Sequence, residues 1–127
     1  MKKVIVLMLA ILFLVSGLAF AGQKDKVAVA AKDKIPGASV SGTVGTSRFF
    51  LFFDEKGKLI EPIANPCKEA QNPGSAVADF LASKGVTIIV ATVFGDRIVQ
   101  LMKSKGIRTV VFQGSVEEAV KKVLQPK

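Results

Sequence analysis

The chain of 127 residues has no histidine, no tryptophan and no tyrosine, and it has one cysteine, Cys67. Each absence closes off a chemistry. Without imidazole, a serine or cysteine nucleophile has no histidine base, and no first-row metal can be held by histidine nitrogen. A lone thiol cannot close an internal disulfide. With phenylalanine as the only aromatic, stacking platforms for nucleic-acid bases are poor. Carboxylates are also scarce, 10 against 18 lysines and arginines, for a formal charge of +8. Two-metal nuclease chemistry needs several carboxylates projecting from central strands. The apolar stretches 27–31 and 86–91 carry none, and Asp33, Asp54, Glu61 and Asp96 fall in turns or at element ends. The chain therefore reads as a binding protein, not an enzyme. Its lysines (Lys24, Lys26, Lys32, Lys34, Lys56, Lys58, Lys68) are scattered, which argues against nucleic acid as a partner. Either a solvated surface or a site for a particular anion accounts for them.

The first residues concern address. Lys2 and Lys3 precede an unbroken apolar run at 4–15, followed by Ser16, Gly17 and the small-residue triplet Ala19, Phe20, Ala21. This is the pattern of a secretory signal peptide over 1–21, cut after Ala21, and the apolar run is short for a full membrane span. The expectation is a secreted or periplasmic single domain over 22–127 with no membrane contact after cleavage. That length suffices for one core.

Within that domain, strand and helix signals alternate. Residues 26–31 (K-V-A-V-A-A) form a short strand, and 39–47 (S-V-S-G-T-V-G-T-S) a loop of small and hydroxyl residues. The aromatic strand 48–54 turns through Asp54, Glu55, Lys56 and Gly57 into a strand at 58–63, an antiparallel hairpin. A proline-punctuated loop runs over 61–73, after which Asn72 is placed to cap a helix that has Pro73 first and ends at Gly85. The β-branched run 86–91 is a strand buried on both faces. Ile98, Val99, Leu101 and Met102 mark a helix that Gly106 terminates, 107–112 is a second parallel strand, and Ser115 with Glu118 forms a capping box on a last helix faced by Val116, Ala119, Val120, Val123 and Leu124. The prediction is a mixed sheet of about five strands with an antiparallel hairpin and a C-terminal βαβα unit. Phe50, Phe52, Val29, Ile89, Val110, Phe80, Leu101 and Val120 are expected in one core, with Phe49 and Phe53 facing the other helical layer.

Read together, K-V-A-V-A-A, V-S-G-T-V-G-T-S-R-F-F-L-F-F-D-E, Asn65-Pro66, F-L-A-S-K-G-V-T-I-I-V-A, F-G-D-R, K-S-K-G-I-R-T-V-V-F and S-V-E-E-A-V occur in an order and spacing that resembles the dinitrogenase iron-molybdenum cofactor biosynthesis domain family. The resemblance spans 26–124. It implies a ribonuclease-H-like α/β/α architecture and a non-catalytic carrier of metal-sulfur clusters. Where many members have His-Phe-Gly-Arg, this chain has Thr43-Val44-Gly45-Thr46, so a histidine ligand is missing. The leader is a second departure, since cofactor assembly for dinitrogenase is cytoplasmic.

The candidate site residues follow. Ser41, Gly42, Thr43, Gly45 and Ser47, with Thr46 and Arg48, could cradle an oxyanion through hydroxyls and amides, or could be a plain surface turn. Gly95 and Asp96 open a helix just past a strand end, where open α/β sheets bind ligands. Cys67, beside Lys68, is read as a soft-metal ligand with a lowered pKa, as a cysteine without a role, or as one half of an intermolecular disulfide. The implied cargo is a molybdenum-, iron- or copper-containing sulfide cluster or a metal oxyanion. A protein-interaction scaffold that has lost ligand binding, working with a protein partner or as a homodimer, is the alternative.

Overall fold

The computed structural model describes residues 24–125. The leader, its cleavage triplet and the mature start at Gly22 lie outside them. The elements run β1 (Val27–Ala31), β2 (Phe49–Phe53), β3 (Leu59–Ala64), α1 (Pro73–Ser83), β4 (Ile88–Ala91), α2 (Asp96–Ser104), β5 (Arg108–Val111) and α3 (Val116–Leu124). Among the described residues no helix is long and apolar enough to cross a membrane.

The five strands form one sheet in the order β3-β2-β1-β4-β5. β1 pairs antiparallel with β2 and parallel with β4; β2–β3 is an antiparallel hairpin and β4–β5 a parallel pair. This is the mixed α/β sheet expected of a ribonuclease-H-like domain. The hairpin turn depends on Asp54, whose carboxylate accepts from the Lys56 and Lys58 amides at 2.9 Å each, and on Gly57 at φ +83°. Bonds from Lys58 first and Lys56 second hold the Asp54 carboxyl below the usual carboxylate range.

The core is divided, which corrects the expectation of a single cluster. Phe50, Phe52 and Ile89 pack with Val77, Leu81 and Met102 beneath α1 and α2, with half-buried Phe80 and Leu101 against them. Val29, Leu51, Phe53 and Val90 pack with Val116, Ala119 and Val120 beneath α3, with Phe49 and Val110 against them. Successive strand residues point to opposite faces, and the central strands are apolar on both, so composition hides the parity. Phe49 and Phe53 do face the second layer. Strand β3 continues to Ala64, through the 61–64 stretch that reads as loop from its proline. Pro62 is tolerated because β3 is a sheet edge.

The candidate cleft at the strand ends

The site is built where the chain leaves the sheet at one end. Ala31 and Phe49 pair at that end, as do Ala91 and Val111. Four connections therefore leave the sheet there, and three of them build the cleft: the loop after β1, the loop from β3 into α1, and the short turn from β4 into α2. The first is tied to the last by the amides of Thr92 and Val93, which donate to the carbonyls of Ser41 (2.9 Å) and Gly42 (3.0 Å). It is tied to the second by buried Asn65. The Asn65 Nδ2 donates to the carbonyls of Gly45 (3.0 Å) and Ser47 (2.9 Å), while its Oδ1 accepts the Cys67 amide at 2.8 Å.

Between these segments opens a cleft of about 310 Å³. One wall is the loop from Thr43 to Thr46, whose two threonine hydroxyls hydrogen-bond each other. Pro73 and Gly74 at the start of α1 form the second wall, and Val93, Phe94 and Gly95 with Ile98 of α2 the third. Two glycines permit this approach. A Cβ on Gly45 would stand 3.0 Å from the Gly74 nitrogen and 3.1 Å from Pro73 Cβ, and one on Gly74 would stand 2.2 Å from Ile98 Cδ1. No charged side chain lines the cleft.

Its lining is predominantly apolar, from Val44, Pro73, Val93, Phe94 and Ile98. Among the described residues, the amides of 42–46 make no hydrogen bond, nor do those of Gly74 and Ser75 in α1 or of Asp96, Arg97 and Ile98 in α2. Neither helix start has a side-chain cap: the expected Asn72 cap makes no bond, and Gly95 has no side chain to offer. A helix start whose N–H groups lack partners carries partial positive charge and suits an anion.

Of the sequence-predicted residues, Thr43, Gly45 and Gly95 line the cleft, and Asp96 stands at its rim as the first residue of α2. Ser41 and Gly42 are framework, holding the loop through their carbonyls. Ser47 is buried and its hydroxyl donates to the Val44 carbonyl at 3.1 Å. Arg48 is exposed and does not line the cleft; its carbonyl accepts the Asn65 amide. Cys67 lies outside the cleft too, half-buried against the α1–α2 core. Its thiol is pushed up, by burial first and by Asp79 second, which corrects the idea that Lys68 activates it. Among the described residues no group of three or more acidic or cysteine side chains could hold a metal ion. Sequence reasoning missed Gly74, Ile98 and the Asn65 clamp. The signal available was the pairing of Asn65-Pro66 with Pro73-Gly74 on either side of one loop.

Fold and cleft together define a small α/β/α domain with a mostly apolar cleft, bordered by two helix starts without side-chain caps, at the ends of its parallel strands. The chain belongs to the family described as dinitrogenase iron-molybdenum cofactor, whose model matches residues 25–126. Among solved structures it is similar to the apo form of the orange protein from Desulfovibrio gigas, at 21% identity and TM-score 0.70, covering 80% of this chain and 87% of that one. It is also similar to a candidate NifB protein from Thermotoga, described as belonging to the DUF35 family, at 28% identity and TM-score 0.65, covering 78% and 86%. No curated protein matches the chain.

Proposed function

We propose that the domain over 22–127 is a non-catalytic carrier of an anionic metal-sulfur species, a molybdenum-, iron- or copper-containing sulfide cluster, held in the cleft between the 43–46 loop and the starts of α1 and α2. The observation that carries this reading is that the 43–46 loop and two helix starts without side-chain caps border one cleft, and that no charged side chain is among the described residues that line it. Family membership and the excess of basic residues support it. Backbone amides suit a large anion of diffuse charge, because they supply many weak donors without a fixed point charge. Such a ligand needs neither the missing histidine nor Cys67. The basic and apolar pattern of residues 1–21 supports a periplasmic or exterior location for the carrier.

The scaffold reading rests on one observation, Thr43 standing where many relatives carry histidine. Titration of the chain from Gly22 onward with tetrathiomolybdate, alone and with copper(I), separates the two. A carrier develops charge-transfer bands that saturate and a melting temperature that rises with ligand concentration. No band and no stabilisation across the series would leave the scaffold reading.

A further inference from the structure

The two edges of the sheet are unequally protected. On β3, the Asn65 amide donates to the Arg48 carbonyl at 3.0 Å, so alternation turns Ile63 toward β2 and Pro62 outward. An outward N–H is therefore missing on that edge, which also carries exposed Glu61 and an irregular register at Phe52/Phe53. Proline, charge and bulges are the devices that keep an edge from pairing with another chain.

β5, a short strand of four residues with Arg108 at its start, has neither proline nor bulge along its outer side. The Arg108 amide donates to the Thr87 carbonyl at 2.8 Å and the Phe112 amide to the Ala91 carbonyl at 3.0 Å, so the even-numbered residues face β4. The amides and carbonyls of Thr109 and Val111 then point outward, and among the described residues no strand receives them. Val111 is 64% exposed and Val99 on α2 is 36% exposed. Beside the edge runs a groove of about 360 Å³ floored by Val99, Ile107 and Thr109, with Lys103 and Arg108 at its rim. Among the described residues neither cation makes an ion pair. Asp25 is near Arg108, but its carboxylate accepts a hydrogen bond from the Thr87 hydroxyl at 3.0 Å.

We propose that β5 is a docking edge for an extended, acidic segment of a partner protein, which adds a sixth strand at Thr109 and Val111. Its side chains alternate between the Val99 groove and solvent, and its carboxylates meet Lys103 and Arg108. Main-chain bonds supply affinity in this mode, and the flanking charges select the partner. A second copy of the chain is the poorer occupant, because it would bring the same two cations to the edge.

The test uses a synthetic hexapeptide of alternating glutamate and valine, with the lysine-valine peptide as control, added to the isotope-labelled chain from Gly22. The acidic peptide should shift the amide resonances of Thr109 and Val111 and slow their exchange by about tenfold or more, with weaker binding of the basic control. Val111→Pro, which removes an outward N–H and leaves the β4 ladder intact, should abolish both effects. Val111→Lys should weaken them severalfold while the melting temperature stays near that of the parent. The proposal fails if the acidic peptide leaves these amides unchanged up to millimolar concentration, if it perturbs the 43–46 loop instead, or if both peptides bind alike. Sedimentation of a peptide-free dimer that Val111→Pro dissolves would assign the edge to a second copy and also overturn it.

Discussion

The starts of α1 and α2 differ from the start of α3 in how their free amides are treated. At α3 every early donor has a partner. The Val116 amide donates to the Ala38 carbonyl at 2.9 Å, that of Glu117 to Pro36 at 3.0 Å, and that of Glu118 to the Ser115 hydroxyl at 3.2 Å. The Glu118 carboxylate returns the bond to the Ser115 amide and hydroxyl, at 3.2 and 2.9 Å. At α1 and α2 no side chain caps the helix, and both starts open onto one cleft. One fold thus contains a helix start that completes itself and two that do not. Self-completion stabilises the domain; the incomplete starts leave donors unmet, and the proposed anion site rests on them.

The largest effects should come from the two core layers on which these helices rest. Phe50→Ala beneath α1 and α2, and Leu51→Ala beneath α3, should each lose about 2–5 kcal/mol in denaturant unfolding. Only the first should also abolish stabilisation by tetrathiomolybdate in a protein still folded at low temperature. Equal loss of binding in both would dissolve the distinction between the layers.

Gly45→Ala comes next, at about 1–3 kcal/mol, because its new methyl meets the backbone of Gly74 and Pro73, which cannot rotate away. Gly42→Ala, with nothing within 4 Å of the added carbon, should be close to neutral. Thermal melts of the pair decide whether the cleft walls are as tightly set as their geometry indicates.

Replacing the caps compares the helix starts directly. Ser115→Ala should cost about 1 kcal/mol and Asn72→Ala no more than a few tenths, since only the first side chain makes a cap bond. The Glu118 carboxyl is held below the usual carboxylate range, chiefly by the Ser115 hydroxyl and then by its amide. A carboxyl whose folded pKa is depressed contributes stability above its unfolded pKa and loses it as pH falls through the folded one. The stability gap between the parent and Glu118→Ala should therefore be full at neutral pH and shrink below the ordinary carboxylate range. A gap that widened in acid would refute the box as a charged device.

The smallest effect concerns the rim. Asp96 places a negative charge on the first turn of α2, where it favours the helix and opposes an incoming anion. Asp96→Asn should tighten thiomolybdate binding severalfold while slightly lowering the melting temperature. Weaker binding would mean that the carboxylate takes part in holding the cargo.

Much of this molecule was legible in the chain, and the parts that were not share a cause. The capping box at Ser115 and Glu118, the terminators Gly85 and Gly106 at φ +76° and +75°, and the Asp54 turn were all readable, because each depends on residues within about four positions of one another. The family pattern was readable for the same reason, as a string of local pieces in order. The division of the core was not, since alternation in strands apolar on both faces carries no mark of which face is which.

The candidate cleft was half legible. Thr43, Gly45 and Gly95 line it, whereas Arg48 and Cys67 lie outside it. By itself, then, the sequence determined the elements and their order, the absence of an imidazole chemistry and the family. Tertiary structure decided that residues 43–46, 73–74 and 93–98 form one cleft, that Asn65 holds its loop, and that Cys67 is packed against the core with a raised pKa. Local hydrogen bonds and steric preferences act along the chain and leave their mark in neighbouring letters. The meeting of three distant segments rests on sheet order and close packing at Gly45 and Gly74, which no stretch of neighbouring residues records.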